Sequence, residues 1–183
     1  LPGPAQAGHV EGNAADALDF AGGIDAGIDG AVRWEDGELH PLPQDFADML
    51  GWDEVGRLVD TAIVQAGDQP FIIYGENYGE AGAAEHLSQK LPKGSQVISF
   101  SDSYRLWAPA TISPSVTALV YINDDEPGDD VQGLFGDIQL IGRIQNPLAR
   151  EKGTGVWLCR NPHSSVAVFW AERARQVKAV FRE

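Results

Sequence analysis

The run PLPQDFADMLGWDEVGRLVDTAIVQAG, residues 41–67, opens as Pro-punctuated irregular chain and then becomes amphipathic. Phe46, Met49, Leu50, Val55, Leu58, Val59, Ala62 and Ile63 recur at helical spacing, which puts them on one stripe. Gly51 and Gly56 are weak helix formers and are expected to split this helix into two pieces. Asp53 stands where it could cap the second piece, and Gly67 supplies a stop.

Beyond Gly67 the period alternates. Phe71–Tyr74 reads as a buried strand, Tyr78–Lys90 as a helix and Gln96–Phe100 as a second strand. Val116–Ile122 is a third strand, with a short helix expected around Val131–Phe135. Ile138–Ile144 and Val156–Cys159 read as further strands. Ser165–Phe181 closes as a helix, with Val166, Phe169, Trp170, Val177, Val180 and Phe181 on one side. Alternation of helix and strand with short connections predicts an α/β domain. The expected form is a mostly parallel sheet of about five strands with helices on both faces, a Rossmann-like three-layer arrangement. Residues 1–32 are Gly-, Ala- and Asp-rich with few large apolar residues and read as an irregular arm or linker. Residues 33–183 then form a single α/β domain.

Charge narrows the partners. A formal net charge of −14 argues against a nucleic-acid surface, which needs clustered Lys and Arg, and against docking on anionic headgroups. No apolar run reaches the roughly 18 residues of a membrane span, and no basic n-region with an apolar h-region marks a signal peptide. The single cysteine, Cys159, can form no intrachain disulfide.

Three stretches carry candidate chemistry. GENYGEAG, residues 75–82, puts glycines at a strand-to-helix junction, but its spacing is not the G-x-G-x-x-G of a dinucleotide loop and it lacks the Lys of a P-loop. Glu76 and Glu80 would repel a phosphate there. Asn77 and Glu80 instead fit a capping box, so a structural junction stands beside the alternative of a polar or amine-bearing ligand met by Glu76 or Asn77. SDSYRLWAP, residues 101–109, combines Asp102, Tyr104, Arg105 and Trp107 after a strand. Aromatic and polar residues on one loop suit a sugar, whereas Tyr104 and Trp107 could equally plug the edge of the sheet. NDDEPGDD, residues 123–130, lacks EF-hand spacing and reads as a solvated loop, with weak Ca²⁺ binding as the alternative. His9, His40, His86 and His163 show no ligand spacing, and Ser164 and Ser165 no nucleophile elbow. No metal, cofactor or catalytic residue is therefore assigned. The candidate ligand-binding residues are Glu76, Asn77, Glu80, Asp102, Tyr104 and Trp107.

PLPQDFADMLGW, FIIYGENYGEAGAAEHL, SYRLWAP and LFGDIQLIGRIQNPLAREKGTGVWLCRNP occur in that order over roughly residues 40–162. Together they resemble the soluble C-terminal portion of bacterial membrane glycosyltransferases related to dolichyl-phosphate-mannose–protein mannosyltransferases and lipid A aminoarabinose transferases. One block departs from that pattern: a His-Asn pair before Ser-Tyr-Trp-Leu-Trp is replaced by Asp102, Ser103, Tyr104, Arg105, Leu106 and Trp107. The resemblance implies an extracytoplasmic domain that follows transmembrane helices and serves a lipid-phosphate-sugar-dependent transferase. It implies catalytic acids in the membrane portion, outside this chain, and so a non-catalytic role here. The implied partners are that upstream membrane region and a glycan, polypeptide or lipid acceptor.

Overall fold

The computed structural model describes residues 30–179, so most of the expected arm, and Val180 and Phe181 of the expected closing helix, lie outside the described residues. The chain divides after Asp48 into two compact units, Leu1–Asp48 and Met49–Glu183. In the first unit Arg33 and Leu39 form an isolated antiparallel bridge. Trp34 stacks on His40 with ring centroids 3.5 Å apart and donates from Nε1 to the Leu42 carbonyl at 2.8 Å. A single helical turn, α1 (Gln44–Ala47), follows Pro43.

In the second unit α2 (Trp52–Ala66) starts at Gly51, whose φ of 87° is left-handed, and stops at Gly67. The predicted split at Gly51 is thus present, but Asp53 does not cap: it lies in the first turn, and the N-cap is Gly51 itself. Gly56 does not interrupt the helix either. Its missing Cβ lets the Leu87 carbonyl approach, and a side chain there would lie 2.8 Å from that backbone. The remaining elements are β1 (Phe71–Gly75), α3 (Tyr78–Leu87), β2 (Val97–Ile98), a 3-10 turn (Asp102–Leu106), β3 (Ala118–Asn123), α4 (Asp129–Leu134), β4 (Phe135–Arg143), β5 (Gly155–Pro162) and α5 (Val166–Ala179). α3 ends earlier than its apolar pattern suggests because Asp60 of α2 captures the chain. Its carboxylate accepts from the Ser88 hydroxyl and from the Gln89 and Lys90 amides.

The fold is mixed α/β with an open five-strand sheet in the order β2-β1-β3-β5-β4. β1 pairs in parallel with β2 and β3, but β5 pairs antiparallel with both β3 and β4, and those ladders make up most of the sheet's pairing. The expectation of a mostly parallel sheet is therefore corrected. The reason lies in residues 144–154, which join β4 to β5 without a helix. A parallel neighbour needs a crossover of a dozen or more residues, usually helical, whereas a reversed strand needs only a loop.

Strand parity sorts the core into two clusters. Ile72, Tyr74, Leu119, Tyr121, Trp157 and Cys159 gather with Val131 and Leu134 of α4 and Val166, Trp170 and Ala174 of α5. Ile73, Val120, Ile122, Val156 and Leu158 gather with Val55, Val59 and Ala62 of α2 and Ala83 and Ala84 of α3. Both faces of the central strands are buried, which is why these segments read as continuous apolar runs.

Candidate functional site

Strand direction gathers the loops. Because β5 alone opposes the others, the carboxyl ends of β1, β2, β3 and β4 lie at one end of the sheet. β1 leads through α3 to β2 on one side, while β3 leads through α4 to β4 on the other. The chain therefore turns in opposite directions between β1 and β3, and a crevice at such a switch point is where open α/β sheets bind ligands.

The β1–α3 junction at this point is a capping box. Asn77 Oδ1 accepts from the Glu80 amide, and Glu80 Oε2 accepts from the Asn77 amide, both at 3.0 Å. Two glycines make the junction tight. A Cβ on Gly75 would lie 2.7 Å from the Ala81 nitrogen and 2.9 Å from Glu80 Cβ, and one on Gly79 would lie 2.9 Å from the Trp52 ring. Gly75→Ala has no flexible neighbour to displace and is expected to cost about 1–3 kcal/mol by overpacking, measured as a lower urea midpoint. A loss below about 0.5 kcal/mol would show that the junction can open at no cost.

Glu80 is only 1% exposed, and its Oε1 has no hydrogen-bond partner within the protein. Burial, with Asp124, Glu151 and Glu76 adding negative charge nearby, pushes its carboxyl up to about 8, against the pull of the Asn77 amide. At neutral pH Glu80 is thus a neutral acid buried beneath the crevice. Thr154 at the entrance to β5 holds a second buried oxygen with no partner.

Glu76, two residues after Tyr74 and just past the end of β1, lies on the same face as Tyr74. Its Oε1 accepts from the Tyr121 hydroxyl at 2.9 Å and its Oε2 from the Tyr74 hydroxyl at 3.2 Å. Burial first, and the Glu76 charge second, hold both phenols far above their ordinary range, so they act as donors. Around them Tyr74 lies 5.7 Å from Phe100 and 6.0 Å from Trp170, while Phe100 stacks on Trp170 at 4.7 Å. These groups line a mostly apolar cleft of about 40 Å³, with Asp130 and Arg173 at its margin. The arrangement can bind a small polar head between aromatic walls, with one carboxylate to orient it.

The 3-10 turn after β2 builds a second, shallower feature. Tyr104 meets Trp107 edge to face at 5.9 Å, and its hydroxyl lies 3.5 Å from Glu85 Oε2. Trp107 is 73% exposed, so it does not plug the sheet edge; Ala108 next to it is the buried residue. Asp102 is exposed with a φ of 47° and does not line this depression.

Of the six sequence-derived candidates, Glu76, Asn77 and Glu80 share one turn, and Tyr104 and Trp107 share another. Asn77 spends its side chain on the helix cap, and Asp102 stands apart. Sequence reading missed Tyr74, Tyr121, Phe100 and Trp170. The available signal was period-2 spacing, which puts Tyr74 and Glu76 on one face. Only pairing of Tyr74 with Tyr121 across β1 and β3 brings the second phenol to the same carboxylate.

Asp124, Asp125 and Glu126 are exposed, and Asp129 and Asp130 open α4. Among the described residues no three His, Cys, Asp or Glu side chains form a group able to hold a metal ion. Cys159 is buried, and its thiol is pushed up to about 12 by that burial and by Asp137, which makes it a core residue and not a nucleophile. No helix among the described residues is long and apolar enough to cross a membrane.

Fold and site together define a mixed α/β protein with an aromatic, carboxylate-bearing cleft at a strand-end switch point. Compared with known proteins, the chain matches no family model, no curated protein and no solved structure.

Proposed function

We propose that this chain is the extracytoplasmic accessory domain of a polytopic membrane glycosyltransferase that uses a lipid-phosphate sugar. The domain is non-catalytic and positions an acceptor or steadies the membrane portion. One observation carries this reading: three of the four sequence blocks that bear the resemblance supply loops at the same end of the sheet. GENYGEAG follows β1, SYRLWAP follows β2, and RIQNPLAREKGTG links β4 to β5. A shared pattern concentrated on one surface is what a docking or acceptor-facing surface requires, because loops on a rigid scaffold carry function. The buried clusters on both sheet faces support a three-layer, Rossmann-like arrangement as the scaffold.

The test is to read the coding sequence upstream of Leu1. A region of several apolar segments, each of about 20 residues, is expected there. A full-length product without one overturns this reading.

A free-standing module binding a small sugar or amine is the second reading, and the cleft at the β1/β3 switch point favours it. Thermal-shift measurements with sugars, amines and nucleotides separate the ligand classes. Stabilisation by a nucleotide would contradict the assignment of GENYGEAG as a structural junction.

A further inference from the structure

We infer that the cleft around Glu76 is a binding site for a primary alkylammonium group, with Glu76 as its counter-ion and Tyr74, Phe100 and Trp170 as its walls. This deepens the strand-end reading but is independent of any upstream membrane region, so the two can fail separately.

The chemistry follows from what Glu76 has and lacks. A carboxylate offers about four lone-pair positions. The two tyrosine hydroxyls occupy one on each oxygen and fix the group's orientation. Both are neutral donors, so they hold the charge in place without cancelling it. Among the described residues no Lys or Arg forms an ion pair with Glu76. A half-buried carboxylate in an aromatic cleft, without a bonded cation, is completed by a cation. The walls favour the same class, because aromatic faces attract positive charge and a partly desolvated site strengthens that attraction.

Size and donor count select within the class. The cleft is small, about 40 Å³, and its lining is mostly apolar, which suits an ammonium head carried on methylenes. A primary ammonium carries three N–H donors and can use the lone pairs that the tyrosines leave. The marginal charges do not reverse the sign: Asp130 adds negative charge and Arg173 positive charge, leaving Glu76 to decide. Arg173 is exposed on α5 and acts as a competitor for the carboxylate, not as a ligand-binding group.

The test is titration of the chain with n-butylammonium chloride, against n-butanol as the neutral probe and butyrate as the anionic one. Backbone amide shifts in nuclear magnetic resonance and the melting temperature provide the readouts. The ammonium alone is expected to raise the melting temperature and to shift the Tyr74, Glu76 and Tyr121 amides. Glu76→Gln, which keeps the shape, should weaken binding by about tenfold or more, and Glu76→Asp by less. Arg173→Ala should leave binding unchanged or tighten it. Equal response to n-butanol would reduce the cleft to an apolar void and overturn the inference. Preference for butyrate, loss of binding in Arg173→Ala, or no ammonium response at any concentration that the chain tolerates would overturn it as well.

Discussion

Raising the pH from 5 to 9 is expected to remove stability that Glu80→Gln retains. Glu80 is fully buried, and its carboxyl titrates near 8 in the folded chain against an ordinary value of 4.5. Between about pH 5 and pH 8 the folded state therefore holds a proton that the unfolded state has released. Where the folded state binds more protons, stability falls as pH rises. This group's contribution is complete below pH 4.5 and falls by about 1.4 kcal/mol per pH unit until about pH 8. Across the window the loss is on the order of 4 kcal/mol. Gln has the shape of the protonated acid and can still accept from the Asn77 amide, so the capping box survives.

The measurement is urea unfolding of wild type and Glu80→Gln at several pH values. Other carboxylates titrate in both proteins, so the difference between the curves is what reports on Glu80. Near-coincidence at pH 5 and a gap of several kcal/mol favouring the variant at pH 9 is the expected result. Parallel curves would mean that Glu80 is ionised at neutral pH and that its Oε1 is solvated or paired after all.

The second large effect is expected from Trp157→Ala. Trp157 is 2% exposed on β5, and its ring folds back over Gly155, where an added Cβ would lie 2.4 Å from it. Tyr121 packs against it with ring centroids 6.0 Å apart, and the Arg143 guanidinium sits 5.1 Å from its centre. Truncation removes the transfer energy of the indole and leaves a cavity that β5, held between two neighbours, cannot close. A loss of about 3–5 kcal/mol is expected, with Trp157→Phe costing less. Tyr121 is also a donor to Glu76, so the Ala variant should bind n-butylammonium more weakly at temperatures where it remains folded. A change below about 1 kcal/mol would show that the ring is not structural.

Much of this architecture was legible in the chain. The junction at Asn77 and Glu80 was readable because a capping box is local: both hydrogen bonds close within four residues. The strands were placed because buried segments are apolar on both faces, although their ends moved by one to three residues. β2 shrank to Val97–Ile98, and β4 began at Phe135 directly after α4. The glycines of FIIYGENYGEAG were also informative, though for packing and not for phosphate: Gly75 and Gly79 admit Glu80, Ala81 and Trp52 at close range.

Strand direction was not legible, because side-chain period is identical whichever way a strand runs. The one local hint is the absence of a helix between β4 and β5. The cleft was not legible either. Tyr121 stands 45 positions from Glu76 in sequence, and only the register of β3 on β1 makes it a donor. Trp170 and Phe100 arrive from two further elements. Nor could the sequence foresee that Glu80 would be buried, with Asp124 and Glu151 adding negative charge nearby, which turns a surface-type capping residue into a neutral acid.

The sequence by itself determined what lies within reach of one turn or one strand: helix stripes, buried runs, the capped junction and the glycines that tighten it. The tertiary structure decided the reversal of β5, the gathering of four loops at one end of the sheet and the meeting of Tyr74, Tyr121 and Glu76. Local features follow from short-range sterics and hydrogen bonds that each segment carries with it. The site depends on distant segments being brought into register, and no segment encodes that alone.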